Sequence, residues 1–118
     1  MEDNLVTIDK ILDWLTESIE HKRIIGAHTW VDACQKMNIL LSEEHDSLFM
    51  LQQEIARMKV EYLDGDTKMS VAEAKLRVES SDKYREMQAQ KAKIERVEEA
   101  IRISKIQARL KDNEYRNQ

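Results

Sequence analysis

Apolar residues recur at intervals of three and four along most of this chain, the period of one face of an α-helix. Leu5, Ile8, Leu12, Leu15 and Ile19 make the first such stripe, widened by Ile11 and Trp14. They predict a helix from about Asp3 or Asn4, either of which can cap it, to about Lys22, with a broad buried face. Its other side carries Asp9, Asp13, Glu17 and Glu20, a solvated acidic surface. Gly26 marks a break, and a second helix is expected from Ala27 to Leu41. Its apolar side holds Ala27, Val31, Cys34, Met37 or Asn38, and Leu41, with Trp30, Ala33 and Leu40 beside them. One helix bent within residues 20–28 is the alternative reading of this stretch.

Ser42 followed by Glu43 and Glu44 has the form of a fresh helix start: a capping hydroxyl, then acids at the positive end of the dipole. Beyond it Leu48, Leu51, Ile55, Met58 and Tyr62 are spaced as in a coiled-coil seam. This third helix should stop near Asp64, because Asp64-Gly65-Asp66-Thr67 is a strong turn signal. Ser70-Val71-Ala72-Glu73 then fits a capping box, and Met69 can pack on Ala74 as a staple. From there to Lys111 neither Gly nor Pro occurs, so one helix of about forty residues is expected. Residues 43–64 should lie antiparallel to residues 71–92.

The fourth helix changes character near Ala92. Small residues (Ala72, Ala74, Ser80, Ser81, Ala89, Ala92) line its first half, whereas its second half carries two apolar stripes. Ile94, Val97, Ile101, Ser104 and Ala108 form one; Ile103, Ile106 and Leu110 form the other. A third helix of 43–64 covers only about 33 Å at standard rise. The stretch from Ile94 to Leu110 therefore needs other partners, and burying its five or six large aliphatic side chains is worth on the order of 10 kcal/mol before entropy. The N-terminal helices and a second copy of the chain are expected to cover it together. The polar tail from Asp112 to Gln118 should fray.

The expected fold is therefore all-α: a long antiparallel, coiled-coil-like helical hairpin (43–64 and 71–111) with two shorter N-terminal helices (1–41) packing on it, in one domain of 118 residues. Composition agrees with helices, since Pro is absent, Gly occurs twice and 36% of residues are charged. Charge is unevenly placed. Residues 1–66 hold six Lys/Arg against fourteen Asp/Glu, and residues 67–118 hold thirteen against nine. Such asymmetry can steer a charged partner to one end, or can hold two halves of one chain, or two copies of it, together, and the second reading is favoured.

Little in the sequence points to chemistry. His21, His28, His45 and Cys34 have no metal-site spacing, and no cofactor is implied. Ser42 and Ser70 are explained as caps, no glycine-rich phosphate loop exists, and the acidic turn at Gly65 lacks the other ligands of a calcium loop. The apolar runs are too short to span a bilayer, no secretory signal opens the chain, and a single cysteine precludes an internal disulfide, so a cytoplasmic protein is expected. Arg102, Lys105, Arg109 and Lys111 form a basic ridge that could contact phosphates. Acids interleave with it, however, and no aromatic stacking platform accompanies it.

The segments Trp30–Leu41 (WVDACQKMNILL) and Ser70–Leu110 resemble a group of small helical proteins of tailed bacteriophages and prophages. That resemblance implies a bacterial host cytoplasm and action through contacts, in a setting of replication, recombination or host defence, and it brings no catalytic residues. The resulting expectation is a non-enzymatic protein-protein interaction protein, self-associating with a dimer favoured, and with a protein partner. Ile94, Val97, Ile101, Ile103, Ile106 and Leu110 are the expected contact residues. The alternatives are a nucleic-acid-binding accessory factor using the basic ridge, and an inhibitor of a bacterial defence complex whose acidic N-terminal face mimics nucleic acid.

Overall fold

The computed structural model describes residues 7–20, 25–65 and 69–116, and for Ile19, Tyr115 and Arg116 the backbone alone. Among the described residues there are four helices and no strand: α1 (Ile8–Glu20), α2 (Ala27–Asp64), α3 (Val71–Glu79) and α4 (Asp82–Arg116). None of these helices is long and apolar enough to cross a membrane.

At the start of α1 the Thr7 hydroxyl accepts from the Lys10 amide at 3.2 Å, so Thr7 supplies the cap. Asp3 and Asn4, the caps expected from sequence, lie outside the described residues, as do residues 21–24 of the expected break and residues 66–68 of the expected turn. Helices α1 and α2 are separate elements, with Gly26 immediately before α2 and its carbonyl accepting from the Trp30 amide.

Two boundaries differ from the sequence expectation. No helix starts at Ser42, because α2 runs unbroken from Ala27 to Asp64. The Ser42 hydroxyl donates backward to the Ile39 carbonyl at 2.9 Å and caps nothing. The residues on both sides are good helix formers without Gly or Pro, and continuing a helix adds a backbone bond per residue, whereas starting again requires a costly new nucleus. Conversely, the expected forty-residue helix from Ser70 is interrupted at Ser80-Ser81. There the Ser80 hydroxyl donates to Leu76 O (2.8 Å) and Ser81 to Val78 O (2.6 Å), while Ser81 Oγ also accepts from the Tyr84 amide (3.2 Å). Two adjacent hydroxyls thus compete with the backbone ladder, and Ser81 with Asp82 behind it makes a new N-terminus.

The chain divides into two compact units, Met1–Glu43 with Glu95–Gln118, and Glu44–Ile94. In the second unit, Glu44 is met by Gln90 and Lys93 while Glu54 is met by Lys83, so the two helix segments run in opposite directions. Gln90 Nε2 donates to the Glu44 carbonyl (2.8 Å) and to its carboxylate (2.7 Å), and Lys93 Nζ stands 3.1 Å from the same carboxylate. Ser70 caps α3 by accepting from the Glu73 amide at 3.2 Å, as its sequence predicts. Ala74, Val78, Met87 and Ile94 are buried, whereas Leu48, Leu51, Ile55 and Met58 are only half-buried.

The first unit contains the main core. Ile8, Ile11 and Leu15 of α1, Trp30, Ala33, Cys34 and Met37 of α2, and Val97 and Ile101 of α4 are buried in one cluster, with Ile25 closing it. Leu12, Trp14, Leu40, Leu41, Ala100 and Ala108 pack around it. Three helices contribute, which is why a chain with few aromatics still encloses side chains completely.

Candidate interaction groove

The last helix presents its two apolar stripes to different surroundings. Val97 (0% exposed), Ile101 (6%) and Ser104 (0%) point into the core built by α1 and α2, and Ile94, at the end of the other unit, is also buried. Ile103 is half-buried, while Ile106 and Leu110 are 42% and 49% exposed. The six expected contact residues thus fall into two sets, and only Ile103, Ile106 and Leu110 keep accessible surface for anything outside the chain. A 100° step per residue places these three within about 60° of arc. Asn113, exposed, continues the line.

Beside Ile103 lies a cleft of about 350 Å³ between α1 and α4, floored by Trp30. Leu12 and Asp13 form its α1 wall, and Arg96, Ile103 and Ser104 its α4 wall. Its size lies at the small end of ligand-sized cavities, and its lining is mainly apolar. The buried Trp30 Nε1 and Ser104 Oγ, both in residues of this lining, have no hydrogen-bond partner among the described residues, and neither has Ser18 Oγ of α1. A buried donor left unpaired costs about 1–3 kcal/mol, so this part of the core is less well satisfied than the Leu/Ile cluster below it.

The basic ridge is partly committed already. Arg102 Nε donates to Glu99 at 3.0 Å and its Nη2 makes a second, shorter bond to the same carboxylate; Lys111 Nζ lies 3.4 Å from Glu114. The hydrogen bond and charge from Arg102 hold Glu99 below the usual carboxylate range, and the reciprocal bond raises Arg102. Lys105 and Arg109 are exposed. Arg102, Arg109 and Lys105 follow one another around α4 on the edge of the Ile106 stripe that faces away from the cleft.

By sequence alone Asp13 falls on a solvated face, Trp30 beside a core stripe, and Arg96 among the basic residues that precede the ridge. The structure brings all three to one cleft. The spacing of Arg96, Glu99 and Ile103 on one helical face was the available signal; the position of α1 beside that face was not readable from any single stripe. Cys34 is buried, and no group of three or more His, Cys, Asp or Glu side chains comes together among the described residues.

No protein-family model matches the chain, and neither does any curated protein or solved structure.

Proposed function

We propose that this chain is a non-enzymatic helical interaction protein that associates with itself, as a dimer, through the exposed stripe of α4, and presents the resulting rigid helical surface to another protein. The observation that carries this reading is the division of α4: Val97 and Ile101 are used up in the chain's own core, whereas Ile106 and Leu110 stay exposed in line with Ile103, which lines an apolar cleft. Scattered exposed aliphatics are ordinary, but two in line, flanked by a half-buried third and a concavity, form the kind of patch that a partner covers. The antiparallel pairing of residues 44–54 with 83–93 supports the finer, hairpin-like reading, in which seam residues such as Leu48 and Met58 carry coiled-coil packing.

A bacteriophage setting, with a role in modulating a host or phage complex or a bacterial defence system, belongs to the same proposal and rests on the resemblance of Trp30–Leu41 and Ser70–Leu110. The nucleic-acid reading has less support, because Glu98, Glu99, Asp112 and Glu114 are interleaved with its four basic side chains and no aromatic stacking platform accompanies them. Sedimentation velocity from 1 to 100 µM tests self-association directly. The expected result is a shift from one chain of 13.9 kDa towards twice that mass as concentration rises; a single-chain mass throughout contradicts it.

A further inference from the structure

The exposed stripe of α4 has two unlike borders. On one side are Arg102, Arg109 and Lys105; on the other, across the cleft, is the acidic edge of α1, where Asp13 lines the cleft and Asp9 and Glu20 share its side of the helix. Arg96, on the α4 wall of the same cleft, offsets part of this acidity, and the remaining contrast favours an occupant that brings positive charge to the α1 wall and negative charge to the outer edge of α4. Glu98 and Asp112 lie among or beyond the three basic residues and lessen the contrast without reversing it.

A second copy of this chain meets both demands in only one of its two symmetric arrangements. With the α4 helices antiparallel, like edges of a two-fold pair face each other, so Arg102 and Arg109 would oppose the same arginines. With them parallel, unlike edges meet: the basic edge of each α4 faces the α1 of the other copy. Heights also match, because Asp13 and the α4 residues from Arg96 to Ser104 line one cleft. In a parallel two-fold pair Arg102 is therefore level with the second copy's Asp13.

We infer that the chain forms a parallel two-fold dimer in which Ile103, Ile106 and Leu110 pack on their own counterparts and the basic edge of each α4, Arg102 with Arg109, grips the acidic edge of the other copy's α1 around Asp13. The inference rests on the proposed self-association and specifies its geometry. Glu99 also falls on this stripe, and its bond to Arg102 offsets the repulsion it would meet across the axis. With three apolar residues per helix at the centre, the seam is small, and its affinity depends on charge and falls as salt rises.

The test uses two full-length charge variants, Arg102→Glu/Arg109→Glu and Asp13→Lys/Glu20→Lys, studied alone and mixed. All the changed residues are exposed, so circular dichroism should show both variants folded. Each alone should dimerise at least tenfold more weakly than the unaltered chain, and the equimolar mixture should recover most of the lost affinity, because both borders are then complementary. Asn113→Cys in a Cys34→Ser background gives an independent readout: a parallel pair brings the two 113 positions together and yields a disulfide-linked dimer on mild oxidation. An antiparallel pair separates them. If the unaltered chain dimerises but the mixture shows no recovery and Asn113→Cys stays unlinked, the parallel arrangement is overturned while self-association stands. If the unaltered chain is monomeric at 100 µM, both fall.

Discussion

Ile101 and Ile106, five residues apart on α4, face different worlds: Ile101 is 6% exposed within the core shared with α1 and α2, and Ile106 is 42% exposed. Five residues turn a helix through about 140° past a full turn, so two isoleucines of one helix serve two purposes. Ile101→Ala should cost about 2–4 kcal/mol in denaturant unfolding, the range for a buried aliphatic truncated to Ala. Ile106→Ala, measured at a concentration where the chain is monomeric, should stay within about 0.5 kcal/mol of the unaltered chain.

The two serines that look alike in sequence should part company on substitution. Ser70 accepts from the Glu73 amide at the start of α3, and Ser70→Ala should destabilise by about 1 kcal/mol. Ser42 sits inside α2 and bonds back to Ile39, so Ser42→Ala should be neutral or stabilising by a few tenths of a kcal/mol, roughly the propensity difference. Thermal unfolding of both variants side by side decides this, and equal losses would mean that Ser42 caps a helix after all.

This pair also shows what local sequence can and cannot tell. Capping chemistry is written in three or four residues, but whether it is used depends on what precedes it. Before Ser70 the preceding helix has already ended, at Asp64, whereas at Ser42 a helix is already running and has no reason to stop. The Ser80-Ser81 interruption was legible in principle, since Ser81-Asp82 has the composition of a helix start, yet the absence of Gly and Pro hid it. The stripes of α4 were readable from spacing alone. Their fates were not: only the placement of α1 and α2 against Val97 and Ile101 separates the face that holds the core from the face left open, and the cleft at Asp13, Trp30 and Ile103 draws on three helices at once.

Gly65 follows the last residue of α2, where a β-carbon would stand 2.7 Å from the Glu61 carbonyl oxygen. That oxygen belongs to the final turn of the helix and cannot withdraw as a side chain could. Gly65→Ala should therefore cost about 1 kcal/mol or more, with the loss seen as earlier thermal unfolding and faster amide exchange in the last turn of α2.

Lys83 is held protonated above its ordinary range by its hydrogen bond to Glu54, aided by the charges of Glu54 and Glu86. A raised folded-state value means that the contribution of this pair is complete below the ordinary lysine value and is lost as pH rises through the raised one. The difference in unfolding midpoint between the unaltered chain and Lys83→Met should thus be steady around neutral pH and shrink as pH rises past the ordinary lysine value of about 10.4. High salt should reduce it at neutral pH, because both partners are substantially exposed.

The division of labour on α4 is tested most directly by Ile106→Asp/Leu110→Asp, followed by sedimentation velocity and thermal unfolding on the same sample. Both positions are open to solvent, so the charges meet water and the core of Val97 and Ile101 is untouched. The predicted result is a chain with unchanged helix content and an unfolding midpoint matching that of the monomeric unaltered chain, but with a single-chain mass at concentrations where the unaltered chain is dimeric. A double variant that still dimerises, or one that unfolds, would contradict the claim that this stripe is an association surface rather than part of the fold.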